Sequence, residues 1–119
     1  RPVSGSKEYY QYMEWSHFAE GSLGLPVMCK LFMGMETRKG DQPMDGYIAK
    51  EVALDFGYIE SVLAEREYFA GEFSAADIMT GSAAMSAKTI GVDMAALPNL
   101  SAYIDRLATR PAYKRAAAL

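Results

Sequence analysis

Hydrophobic positions recur at helical spacing along nearly the whole chain. Ile48, Val52, Phe56, Ile59 and Leu63 form a stripe at intervals of three and four, widened by Ala49 and Val62. Lys50, Glu51, Glu60, Glu65 and Arg66 fall mostly off the stripe. The pattern predicts an amphipathic helix with Pro43 in its first turn, Asp41 or Gln42 as its cap, and an end near Glu67. Leu100, Tyr103, Ile104 and Leu107 predict a later helix of about three turns. Upstream, Tyr9, Tyr12, Met13, Trp15, Phe18 and Ala19 give two apolar faces to a helix beginning near Lys7, capped by Ser4 or Ser6.

The pattern breaks over residues 20–26. Pro26 removes a backbone donor and clashes with the carbonyl four residues back, which predicts a kink before the helix resumes over Val27 to Met35. Residues 37–42 read as a loop, 68–72 as a turn and 92–96 as a connection, and Pro111 opens a short, alanine-rich last helix. No stretch alternates with period two. The predicted class is all-α, a five-helix orthogonal bundle, with residues 1–6 as a linker remnant and 7–119 as one helical domain.

The most informative segment is Phe73-Ser74-Ala75-Ala76-Asp77-Ile78. Ser74 is a good N-cap, and Asp77, three residues on, can reach back to its N–H: a capping box with Asp in the usual Glu or Gln position. Phe73 and Ile78 stand at the positions of a hydrophobic staple. The helix predicted to follow, Ala75 to Ile90, is rich in alanine and serine and carries one charge after its first turn, Lys88. So little polar surface marks a core helix, and its small residues let neighbouring helices come close. Gly91 is placed to end it in the left-handed conformation.

Composition narrows the class. Half of the 119 residues are hydrophobic and the net charge is −3 with both signs dispersed, so there is no basic face for nucleic acid. No apolar run is long enough to span a membrane. The single cysteine, Cys29, permits no internal disulfide and fits a reducing, cytoplasmic compartment. Because the chain starts at Arg1, it reads as a piece of a longer protein.

Chemistry-bearing residues are sparse. His17, the one histidine, has no Cys, Asp or His at metal-ligand spacing; Glu20 stands one turn on, and the bland reading is a half-buried helix histidine. Cys29 lies in an apolar segment where a thiol stays inert. Asp77 is explained as a cap. Tyr9, Tyr10, Tyr12, Trp15 and Phe18 serve the core, a partner surface or both. Met28 is adaptable enough to line a pocket for varied apolar ligands.

Taken in order, the Phe73-Ser74-x-x-Asp77-Ile78 box, Gly91, Leu97-Pro98-Asn99-Leu100, Tyr103 and Arg110-Pro111-Ala112-Tyr113-Lys114-Arg115-Ala116 resemble the C-terminal domain of cytosolic glutathione transferases. His17-Phe18-Ala19-Glu20-Gly21-Ser22-Leu23 resembles the first long helix of bacterial and fungal members. The resemblance implies an N-terminal thioredoxin-like domain, absent from this chain, that holds the thiol-activating residue and most contacts to the co-substrate glutathione. It therefore implies no catalytic residue here. It implies that the first helix lines the electrophile pocket and faces the partner of a homodimer. Glu20 matches an acid that contacts the glutathione amino group across the dimer, with Ser22 beside it and Leu23, Val27 and Met28 on the pocket side. Gly24 departs from the bulky apolar residue frequent in the family. The leading reading that the resemblance implies is a pocket wall and dimer surface for conjugation of glutathione to apolar electrophiles; the alternatives are a non-catalytic protein-interaction module, or a glutathione-dependent disulfide reductase or isomerase of the same family.

Overall fold

The computed structural model describes all 119 residues as five helices. Helix α1 covers residues 7–35 in three continuous parts: an α-helix Lys7–Phe18, a π-helical turn Ala19–Gly24 and an α-helix Leu25–Met35. Helix α2 is Pro43–Leu63, α3 is Ala75–Met85, α4 is Pro98–Thr109 and α5 is Pro111–Ala117. A 3₁₀ turn, Met94–Ala96, precedes α4. Helix α1 packs on α2 and α3, α4 packs on α2 and α3, and α5 follows α4. No helix is long and apolar enough to cross a membrane.

The α2 stripe is buried as its spacing predicts: Ile48, Val52, Phe56, Ile59 and Leu63 all lie in the core. Ser6 caps α1, its hydroxyl accepting from Tyr9 N at 3.1 Å. Gln42 caps α2, and Asp45 returns a carboxylate bond to Gln42 N. Helix α2 stops at Leu63 rather than near Glu67. Glu65 N switches to the Val62 carbonyl, and the chain turns so that Phe69 enters the core.

Helix α3 is shorter than its composition suggests. At Ser86 and Ala87 the backbone bonds tighten to the carbonyls three residues back, Ala83 and Ala84, which ends the regular helix. One more turn follows, burying Ala87 and Ile90. Gly91, at φ +81°, closes it: Val92 N donates to Ala87 O and Gly91 N to Lys88 O, the paired bonds of a Schellman motif. The glycine stop is in the predicted place, but the helix reaches it through a change of pitch.

Burial of α3 is one-sided. Ala76, Asp77, Thr80, Gly81 and Ala84 face the core, while Ile78 is 60% exposed. A side chain at Gly81 would sit 2.6 Å from Leu107 Cδ1, so the missing Cβ is what lets α4 come this close.

Candidate functional site

The site grows from two neighbourhoods, the start of α3 and the outer face of α1. At α3 the Asp77 carboxylate is fully buried. Oδ2 accepts from Ser74 N at 2.9 Å and Oδ1 from Phe69 N at 3.1 Å and the Tyr103 hydroxyl at 3.2 Å. One side chain thus ties the capping box, the loop before it and α4 together. Burial pushes this carboxyl above the usual carboxylate range, outweighing bonds from Ser74, Phe69 and Tyr103 that pull it down. Burial, with the Asp77 charge beside it, pushes the Tyr103 hydroxyl up. Every polar partner of Asp77 is structural, so its role is the cap that its position indicates, extended to two further elements.

From Tyr103 an aromatic stack leads to α1. The Tyr103 and Phe69 rings meet edge to face at 5.1 Å, and Phe69 stacks on Trp15 at 4.1 Å. Trp15 also stacks on Tyr58, whose hydroxyl donates to Glu14 at 2.8 Å. The Thr80 hydroxyl donates to the Trp15 carbonyl at 3.1 Å, joining α3 to α1 just before the π turn. The aromatic residues near the start of α1 therefore divide: Trp15 is core, while Tyr10 is largely exposed.

On α1 the five residues implied by the resemblance do not share one surface. Leu23 and Val27 are buried members of the hydrophobic core. Glu20, Ser22 and Met28 are exposed. The reason is the π turn, which carries Leu23 inward between two outward-facing positions. The outer face holds more apolar surface than the motif suggested. Leu25, Met28, Phe32 and Met35, spaced three, four and three apart, are each 46–75% exposed. His17 is exposed rather than half-buried, and Cys29 is partly buried against the core.

Two features have no local sequence signal. Glu60, on α2, caps α4 from a distance: Oε1 accepts from Asn99 N at 2.9 Å and Oε2 from Leu100 N at 2.8 Å. It replaces the side-chain cap that Leu97 cannot supply. The second feature is an apolar groove of about 420 Å³ between α3 and the α4–α5 corner, walled by Phe73, Ile78, Met85, Leu107 and Tyr113. The Arg110 guanidinium lies 3.3 Å from the Phe73 ring centroid at its edge. Both staple residues, Phe73 and Ile78, line this groove. A larger depression of about 550 Å³, between residues 1–8 and 70–74, mixes Glu8 and Glu72 with Val3 and Phe73 and contains none of the α1 candidates.

Comparison with known proteins locates this arrangement. Residues 25–111 match the family model described as glutathione S-transferase, C-terminal domain. Glutathione S-transferase 3 of Schizosaccharomyces pombe is 31% identical over an alignment covering 92% of this chain and 51% of the relative. The chain thus spans about half the length of that curated relative. A sphingomonad glutathione S-transferase complexed with glutathione is 28% identical, with a TM-score of 0.78, covering 97% of this chain and 55% of the other. A Phanerochaete chrysosporium glutathione transferase in complex with oxidized glutathione is 20% identical and shares the fold, with a TM-score of 0.82 over 96% of this chain and 54% of the other.

Proposed function

The chain belongs to the glutathione S-transferase C-terminal domain family, and from that premise we propose that it is the helical half of a two-domain glutathione transferase that conjugates glutathione to apolar electrophiles. The supporting observation is the outer face of α1, where one carboxylate, Glu20, stands on a helix side otherwise exposing Leu25, Met28 and Phe32. A carboxylate there suits the glutathione ammonium group, and Ser22 adds a hydroxyl beside it. Met28 and Phe32 offer adaptable apolar surface to the electrophile, which favours broad selectivity. Leu23 and Val27 contribute from beneath, by fixing the helix that presents these groups.

In this reading the thiol-activating residue lies on an N-terminal thioredoxin-like domain. The groove at α3 is its seat: Ile78, with the partly buried Met85, makes an apolar surface on the side of the helix turned away from the core. Leu25 and Met35 of α1, together with Met44, Tyr47 and Leu54 of α2, supply the surface for a homodimer. A reducing cytoplasmic setting suits the single free thiol.

The test is conjugation of glutathione to a chromogenic electrophile by the full-length protein beside the 119-residue chain. Turnover by the full-length protein alone is the expected result. Glutathione binding without turnover would favour a non-catalytic module, and turnover only with disulfide substrates would favour a reductase. Turnover by the isolated chain would place the thiol chemistry in these residues, against the reading.

A further inference from the structure

Among the buried positions of α1, Trp15, Ala19, Leu23 and Val27 follow one another at intervals of four, with Pro26 buried beside Val27. An unbroken α-helix cannot keep such a series in line. Its 3.6-residue turn would rotate Val27 about 120° away from Trp15. The π turn takes up one extra residue, which cuts that offset to about 20° and seats all four in the same core. It also aligns the outer face. Glu20 and Met28 would stand about 80° apart on an unbroken α-helix and stand within about 20° of each other here.

Gly24 is what permits this. Its φ is an ordinary −61°, so the demand is for space rather than for a glycine backbone. A Cβ at position 24 would lie 2.9 Å from the carbonyl oxygen of Ala19, a backbone atom that cannot move without closing the turn. We propose that Gly24 is a positioning residue: it holds the π turn open and so sets the register that places Glu20 and Met28 on one exposed face, where they recognise glutathione and electrophile together. The inference rests on the functional reading above, and it deepens that reading by naming what determines the geometry of the α1 contacts.

The experiment compares three full-length proteins: wild type, Gly24→Ala, and Gly24→Ala with Gly21 deleted. Gly21 is exposed with open space around it, so its removal disturbs no packing. Deleting it also removes the extra residue, so the segment closes as an α-helix that tolerates a side chain at position 24 while the flanking halves keep their register. Gly24→Ala alone should lower the melting temperature and raise the KM for glutathione about tenfold or more, as expected when a charged hydrogen bond is lost. The deletion should return both close to wild type.

A Gly24→Ala protein with unchanged KM and melting would overturn the proposal. So would a deletion variant that recovers its melting temperature and keeps the raised KM. If Gly24→Ala does not fold, the deletion variant decides alone: folding with wild-type KM supports the register, and folding without glutathione saturation contradicts it. A wild-type protein that glutathione does not saturate sinks the functional reading and the ligand half of this one, while the melting series still decides the register.

Discussion

The start of α3 and the outer face of α1 obey the same capping and packing physics, yet one can be read from six residues and the other only from the folded chain. At α3 the information is local. Ser74 and Asp77 are three residues apart, and their bonds close within one turn of backbone. On α1 the facing of Glu20, Leu23 and Met28 depends on the accumulated rotation of the helix between them. A single extra residue, absorbed at Ala19–Gly24, changes that rotation by about 100°. Short-range hydrogen-bond motifs survive reading residue by residue, whereas the register of a long helix does not.

The largest expected effect tests how far the α3 signal reaches. Asp77→Ala strands the buried Phe69 N, frees the part-buried Ser74 N and leaves the Tyr103 hydroxyl only the Asp77 carbonyl at 3.3 Å, and should cost about 3 kcal/mol. Ser74→Ala removes only a cap and should cost about 1 kcal/mol. Melting of the two variants side by side checks this. Equal losses would mean that Asp77 acts as a local cap alone, and that its ties to Phe69 and Tyr103 carry no weight.

A smaller effect tests whether distance matters to the physics or only to legibility. Glu60 does for α4 what Ser74 and Asp77 do for α3, from a helix almost forty residues earlier in the chain. Glu60→Ala should cost about 1–2 kcal/mol, the range of an ordinary N-cap, in chemical or thermal unfolding. An undetectable loss would show that the N-terminus of α4 is satisfied by water and that the contrast with α3 is one of kind.

Much of the fold was legible for the same reason as the α3 box. The α2 stripe, the caps at Ser6 and Gln42, the Gly91 stop and the helical class all follow from neighbours within a turn or two. What escaped depends on longer paths. The early end of α3 comes from a change of pitch that buries Ala87 and Ile90. The exposure of Ile78 could not be seen because an alanine-rich helix reads as buried on all sides, whether or not this chain supplies every side. Pro26 correctly marked a disturbance in α1, but a kink and a π turn leave the same mark in sequence and have opposite consequences for which residues face out. Of the α1 candidates, Glu20, Ser22 and Met28 reach the surface, while Leu23 and Val27 belong to the core.

The most direct test of the claim that ligand recognition lies on α1 and not at the α3 knot is the affinity of the full-length protein for glutathione, measured by titration calorimetry with Glu20→Gln and with Ser74→Ala. The account predicts that Glu20→Gln weakens binding about tenfold with unchanged melting, as for loss of one charged hydrogen bond, and that Ser74→Ala lowers melting with unchanged affinity. Wild-type affinity in Glu20→Gln would contradict it.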